Sequence, residues 1–270
     1  MTRQSVCFTA IGSRIGWKVP RLARLESLLL PHCCVFCGRD GAPGIDLCRG
    51  CAAWLPWLPA AHPDEVVLPF PVLTPFRFRH PVDTLVTDLK YRGRRVPARV
   101  LGTLIGRIAR ECPPLAMTAG GSDAAEAGTA AGSAVADGVD WPDCLLPMPL
   151  HARREAERGF NQSAEIARWI AEVTALPLRP ALAERRIDTG SLTGLSRNER
   201  QLAILGAFAV PESRALTGQH VAIVDDVLTT GATARELARE LLDAGARKVS
   251  LWAAAATPPP TNEDRQRESR

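Results

Sequence analysis

The chain has 270 residues, a formal net charge of +4 and eight cysteines, enough for one substantial core plus a small module, since domains commonly hold about 100 to 200 residues. No apolar run reaches the ~18 residues of a membrane span, and the N-terminus lacks a continuous apolar stretch ending at a small-residue cleavage site; the chain therefore reads as cytoplasmic. Four of the cysteines stand in two CxxC pairs, a pattern that in a cytosolic protein points to metal rather than to a disulfide framework.

Residues 1–20 have mixed composition and no period, and are read as a disordered extension. From 21 to 60 the chain is expected to form a zinc-ribbon module. Leu22, Leu25, Leu28 and Leu29 fall at helical spacing and predict a short helix leading into Cys34, Cys37, Cys48 and Cys51. Each CxxC pair can present two thiolates to one ion, and Gly38 lets the backbone turn, so the four sulfurs suit a closed, structural four-cysteine zinc site without catalytic water. His32 and Cys33 stand directly beside the first pair and offer substitute ligands.

Residues 64–117 read as a basic segment, either a hood over the site or the first part of the core. Phe70 to Phe78 is strand-like, Val82, Leu85, Val86 and Leu89 predict one helix, and Val96 to Ala109 predicts a second. Between Arg77 and Arg110 lie nine basic residues, among them Lys90, Arg92, Arg94 and Arg95, against Asp83 and Asp88. Such a surface suits a polyanion, and equally suits a solvated arginine-rich face. Residues 118–140 are nearly all Ala, Gly, Ser, Thr and acids, too little side chain to offset ordering entropy, and are read as a disordered insertion.

The main domain is expected over 141–257, followed by a disordered tail, 258–270. An apolar strand near Cys144 to Leu150 leads into a loop with His151, Arg154, Arg158 and Asn161, then a helix through about Thr174. His151 is either a general acid–base group or a satisfied loop histidine, and Asn161 either meets ligand or caps the helix. Residues 185–205 show no sustained period and carry Arg185, Arg186, Arg197 and Arg200, a candidate lid for pyrophosphate. Next, Val221–Val224 reads as a strand buried on both faces that ends at Asp225 and Asp226. Leu228, Thr229, Thr230, Gly231, Ala232 and Thr233 form the following turn, with Thr233 and Glu236 at capping-box spacing for a helix reaching about Ala244. Val249 to Ala256 supplies a last strand, and this alternation implies a parallel sheet.

The acidic pair can accept hydrogen bonds from vicinal hydroxyls or lie near hydrated Mg²⁺, while the threonine-rich turn and helix start can hold a monoester phosphate. Ribose 5-phosphate has both features. The run VAIVDDVLTTGAT resembles the thirteen-residue motif of type I phosphoribosyltransferases that binds phosphoribosyl pyrophosphate (PRPP). Together with the paired CxxC module, LKYRG, PMPLHARREAERGFNQ, GLSRNER and GAF, it is similar to the ComF family of competence-associated proteins.

That resemblance implies a type I phosphoribosyltransferase-like parallel sheet flanked by helices, an N-terminal zinc ribbon, and PRPP bound with Mg²⁺ at Asp225, Asp226 and residues 228–233. It also implies a role in handling single-stranded DNA during uptake, with a partner ATPase. In the lid, the family's Gln before GLS and Asn before GAF are replaced by Leu192 and Ala203. The first reading is a phosphoribosyltransferase, with Asp225, Asp226, Arg154, Arg158 and His151 as catalytic candidates. A non-catalytic accessory protein for single-stranded DNA and a PRPP-sensing regulator are the alternatives on the same fold.

Overall fold

The computed structural model describes residues 32–58, 68–111, 140–189, 197–211 and 213–257. The expected 1–20 extension, the 21–30 helix, all but residue 140 of the 118–140 insertion, residues 190–196 of the lid and the 258–270 tail lie outside the described residues. A parallel sheet organises the rest. Its two long central strands are β6 (His220–Leu228) and β7 (Lys248–Ala256). On one side of this pair lies β3 (Cys144–Pro147); on the other, β1 (Val72–Leu73) and β2 (Phe76–Arg77) both pair with β7. All pairings are parallel, with Cys144 opposite Val221, Ile223 opposite Leu251 and Val72 also opposite Leu251.

The uninterrupted apolar runs in β6 and β7 follow from helices on both faces. Even-numbered Ala222, Val224, Trp252 and Ala254 pack into one core with α2 (Val82–Tyr91), α3 (Val96–Glu111) and α5 (Gln162–Thr174). Odd-numbered Val221, Ile223, Val249 and Leu251 pack into a second core under α7 (Ala232–Asp243). The period-two alternation of a strand divides one apolar run between two cores.

The α2 and α3 predictions hold, with Val82, Leu85, Val86, Leu89, Val100, Leu101, Leu104, Ile105 and Ile108 all buried. Helix α3 lies against α5 at backbone contact distance. A Cβ on Gly102 would stand 2.4 Å from the Ile166 carbonyl oxygen, and one on Gly106 2.8 Å from Val173 Cβ. Glycine permits that approach.

Four local expectations need correction. The strand read over 70–78 is two short pieces separated by Thr74 and Pro75, because proline has no N–H to give the ladder. Strand β6 runs past the carboxylates to Leu228 rather than ending at Asp225. The 185–205 stretch contains regular structure: β4 (Glu184–Arg185) pairs antiparallel with β5 (Phe208–Ala209), and α6 (Arg197–Ile204) precedes it. Helix α7 is not capped by Thr233; it starts at Ala232 after Gly231, whose φ of 72° is left-handed. Glu236 instead accepts the Gly206 N–H at 2.7 Å and pairs with Arg239.

The cysteine segment adds the short helix α1 (Arg49–Ala53). Ile45, Leu47 and Ala52 belong to the same core as α2 and α3, and buried Asp46 pairs with Arg99 of α3 and with His32 at 3.3 Å. Among the described residues, no helix is long and apolar enough to cross a membrane.

Candidate functional site

Asp225 and Asp226 lie in the second half of β6, where neighbouring elements determine their state. Asn161 caps α5: its side-chain oxygen accepts the N–H groups of Ser163 at 2.9 Å and Ala164 at 3.2 Å, and its amide donates to the Met148 carbonyl at 3.0 Å. This ties the start of α5 to the end of β3 and brings the Ser163 hydroxyl to Asp225 Oδ1 at 3.2 Å. The same oxygen accepts the Asp226 N–H at 2.9 Å. Burial and the adjacent Asp226 charge push the Asp225 carboxyl up to about 7, against the pull of these donors and of Lys90.

Asp226 is buried and pairs with Lys90, whose Nζ stands 3.0 Å from Asp226 Oδ2. Lys90 sits in the last turn of α2. Read in sequence as part of a solvent-facing basic run, its side chain is only 23% exposed in the fold. Its neighbours point elsewhere: Arg92 and Arg94 bind Asp88 at 2.7 and 3.3 Å, and Arg95 meets Glu165 at 3.4 Å.

After β6, Thr229 is exposed and Thr230 half-buried. The Thr230 hydroxyl accepts the Ala232 N–H at 3.4 Å, and its carbonyl accepts from the Arg235 guanidinium at 2.8 Å. Leu228 and Ala232 are buried, Thr233 lies in the first turn of α7, and the N-cap residue Gly231 has no side chain to cap that helix start. The left-handed Gly231 turns the loop directly into the helix, and the first-turn N–H groups beyond that of Ala232 suit an anion.

The predicted arginines divide. Arg154 lies 3.8 Å from Asp188 and Arg153 3.5 Å from the same carboxylate. Arg185 donates to the Thr189 hydroxyl and lies 5.6 Å from the Phe208 ring centroid. Burial and the Arg154 charge lower the Arg185 pKa, while Asp188 and Asp225 raise it. Arg154, Arg185, Asp188 and Asp225 thus share one electrostatic environment. Arg158 instead bonds Gln162 at 2.9 Å and stacks 5.8 Å from the Tyr91 ring centroid, and Arg186 pairs with Glu184 at 2.7 Å in an exposed position. Arg197 and Arg200 lie on α6. His151 caps the short helix α4 (Ala152–Arg158), accepting the Arg153 N–H at 3.3 Å.

Sequence reading did not assign Ser163, Asp188 or Lys90 to this site. For Ser163 the available signal was its place two residues after the Asn161 cap.

In the cysteine module, the sulfurs of Cys34, Cys37, Cys48 and Cys51 lie within 4.8 Å of one another, a group that could hold a metal ion. Cys37 and Cys48 sulfurs are 3.6 Å apart, and Cys48 caps α1 by accepting the Cys51 N–H at 3.3 Å. Burial opposes ionisation of Cys34, but backbone N–H groups of Cys48, Cys37 and Phe36 outweigh it and bring the thiol to about 6.

No protein-family model matches the chain. It is 30% identical over 115 residues to competence protein F of Haemophilus influenzae, covering 42% of this chain and 50% of that protein. It is 29% identical over 235 residues to the DNA utilization protein YhgH of Salmonella typhimurium, covering 83% of this chain and 90% of that protein. Competence protein ComFC of Bacillus subtilis is 32% identical over 108 residues, 39% of this chain and 42% of its own. The match thus spans about half of competence protein F and less than half of ComFC. Among solved structures, a B. subtilis glutamine PRPP amidotransferase complexed with ADP and GMP is similar at a TM-score of 0.35 and 16% identity. That similarity covers 62% of this chain and 30% of the amidotransferase, too distant to assign anything here.

Proposed function

We propose that this chain, a homologue of competence protein F, ComFC and the DNA utilization proteins, binds PRPP at a phosphoribosyltransferase-type site. One observation carries the reading: two adjacent carboxylates near the end of a buried strand are followed, two residues on, by a threonine-glycine turn into a helix start whose N-cap is Gly231. The carboxylates suit the ribose hydroxyls, and the Thr229–Thr233 turn suits the 5-phosphate. Arg154 and Arg185, close enough to influence one another, suit a diphosphate.

The oxygen-only donors of Asp225 and Asp226 fit Mg²⁺, which takes few protein carboxylates and keeps several waters. Bound Mg²⁺ would neutralise charge on the departing diphosphate. The chain's own residues then hold ribose, phosphate and diphosphate in register and fix the acidic pair through Ser163. Phosphoribosyl transfer, with its acceptor, is the reaction such a site serves.

Calorimetric titration with PRPP and Mg²⁺ tests this. Binding is expected to the wild type and not to Asp225→Ala/Asp226→Ala; a wild type that binds nothing sinks the reading. A PRPP-sensing regulator would bind in the same way without releasing pyrophosphate to any acceptor.

A second reading, handling of single-stranded DNA beside a DNA-uptake ATPase, is favoured by three exposed arginine side chains, Arg92, Arg94 and Arg95, at 62%, 67% and 58% exposure. Binding should then fall steeply with salt and disappear on charge reversal at all three. For the cysteine cluster we propose structural Zn²⁺, which predicts about one zinc per purified chain.

A further inference from the structure

Lys90 occupies the position at Asp226 that an incoming cation would need. Its ammonium lies 3.0 Å from Asp226 Oδ2, and the two side chains are 23% and 12% exposed. The other basic residues that follow on the same segment have separate carboxylate partners, Asp88 and Glu165. The link is therefore specific to Lys90. Arg185 feels the charges of Arg154, Asp188 and Asp225, and Arg153 and Arg154 both reach Asp188, at 3.5 and 3.8 Å. Cations thus already stand among these carboxylates, with Lys90 directly on Asp226.

A bare divalent ion entering here meets an ammonium already on its carboxylate. An ion carried by a polyanion does not meet the same barrier, because the polyanion supplies a new partner for the displaced ammonium. Lysine suits that exchange: it is a point charge on a flexible four-carbon stem and can move its head while its helix stays packed. Lys90 lies one residue before the end of α2, whose buried face is formed by Val82, Leu85, Val86 and Leu89, so the head can turn without disturbing that core.

We infer that Lys90 is a specificity-determining counter-ion. It excludes free divalent metal from the Asp225–Asp226 pair and, when displaced, transfers its charge to the diphosphate of a metal-chelated sugar diphosphate. The metal-exclusion half stands on the ion pair alone, and the diphosphate half rests on the PRPP reading above.

The test uses the full-length, zinc-loaded chain and Mn²⁺ alone as probe, followed by its electron paramagnetic resonance signal, since Mn²⁺ favours carboxylate oxygen ligands. Lys90→Met is expected to bind Mn²⁺ at least tenfold more tightly than wild type. Adding Asp226→Asn to Lys90→Met should abolish the gain, which locates it at this pair. Lys90→Gln carries the same expectation and serves if the methionine variant fails to fold. In parallel, Mg²⁺-supported binding of PRPP and of ribose 5-phosphate is measured. The preference for PRPP should shrink at least tenfold in the Lys90 variants. Equal Mn²⁺ affinity in wild type and Lys90 variants overturns the exclusion role, and an unchanged PRPP preference overturns the transfer role. If wild type binds neither sugar phosphate, the PRPP reading and the transfer half fail together, and the Mn²⁺ titration still decides exclusion.

Discussion

At the residue scale, Asp225 carries the clearest consequence of burial. Its carboxyl is held up to about 7 by desolvation and by Asp226, with Lys90 and Ser163 pulling the other way. A raised folded-state pKa favours the protonated form, so its contribution to stability is complete below the unfolded value, near 4, and is lost as pH rises through about 7. Metal-free Asp225→Asn should therefore gain stability over wild type at pH 8 and not at pH 4, read as the difference in thermal midpoint. Equal differences at the two pH values would show that Asp225 is not strained by its charge. His220 works in the opposite sense. Buried at the start of β6 and bonded to Ser250 at 3.0 Å, it is lowered to about 4, chiefly by burial, so its contribution is present above its ordinary value and lost as pH falls. The two slopes oppose one another between pH 4 and 6.5, and Asp225→Asn should leave a stability that rises more steeply with pH over that window.

At the element scale, α5 presents the site and α3 positions α5. Its cap, Asn161, satisfies two helix N–H groups and ties the helix to Met148. Asn161→Ala should cost about 1 kcal/mol or more and also weaken ligand binding, because Ser163 loses its fixed approach to Asp225. A denaturation series combined with PRPP titration checks both, and a stability loss with unchanged affinity would separate the cap from the site. Behind α5, Gly102 leaves no room for a methyl group, which would meet the Ile166 carbonyl oxygen at 2.4 Å. Gly102→Ala is expected to destabilise by roughly 1–3 kcal/mol through overpacking, despite alanine's better helix propensity. A neutral or stabilising result in urea denaturation would mean that the two helices are not held in contact. The helices were legible because their apolar residues recur at i, i+3 and i+4. Helix α6 was missed, because its eight residues are mostly polar and its apolar residues, Leu202, Ala203 and Ile204, stand together at its end.

For the whole molecule, the cysteine module shares its core with the sheet domain. Ile45, Leu47 and Ala52 are fully buried beside residues of α2 and α3, and Asp46 spans to Arg99. If zinc holds the four cysteines, removing it should lower the thermal midpoint of the entire chain in one transition, since a ligand bound only to the native state stabilises everything that unfolds with it. Calorimetry with and without a chelator decides this, and an unchanged main transition would show a module that folds on its own. The same contiguity makes Lys90 part of the candidate site, since α2 packs into the core that joins the cysteine module to the sheet.

The sequence alone determined the local features: four cysteines spaced to hold a metal, the amphipathic periods of α2, α3 and α5, the doubly buried strand, and the carboxylate pair followed by its turn. Each is written in consecutive residues or in a short period, so no distant contact is needed to read it. Only the tertiary structure decided which charges meet. Lys90 looked like one member of a solvated basic run, yet α2 delivers it to Asp226; Arg158, a catalytic candidate, meets Gln162 and Tyr91, contacts its spacing did not announce. An ion pair depends on which helix packs over which strand, and sequence spacing carries no record of that. The pairing of the carboxylates could be read from the chain, and their counter-ion could not.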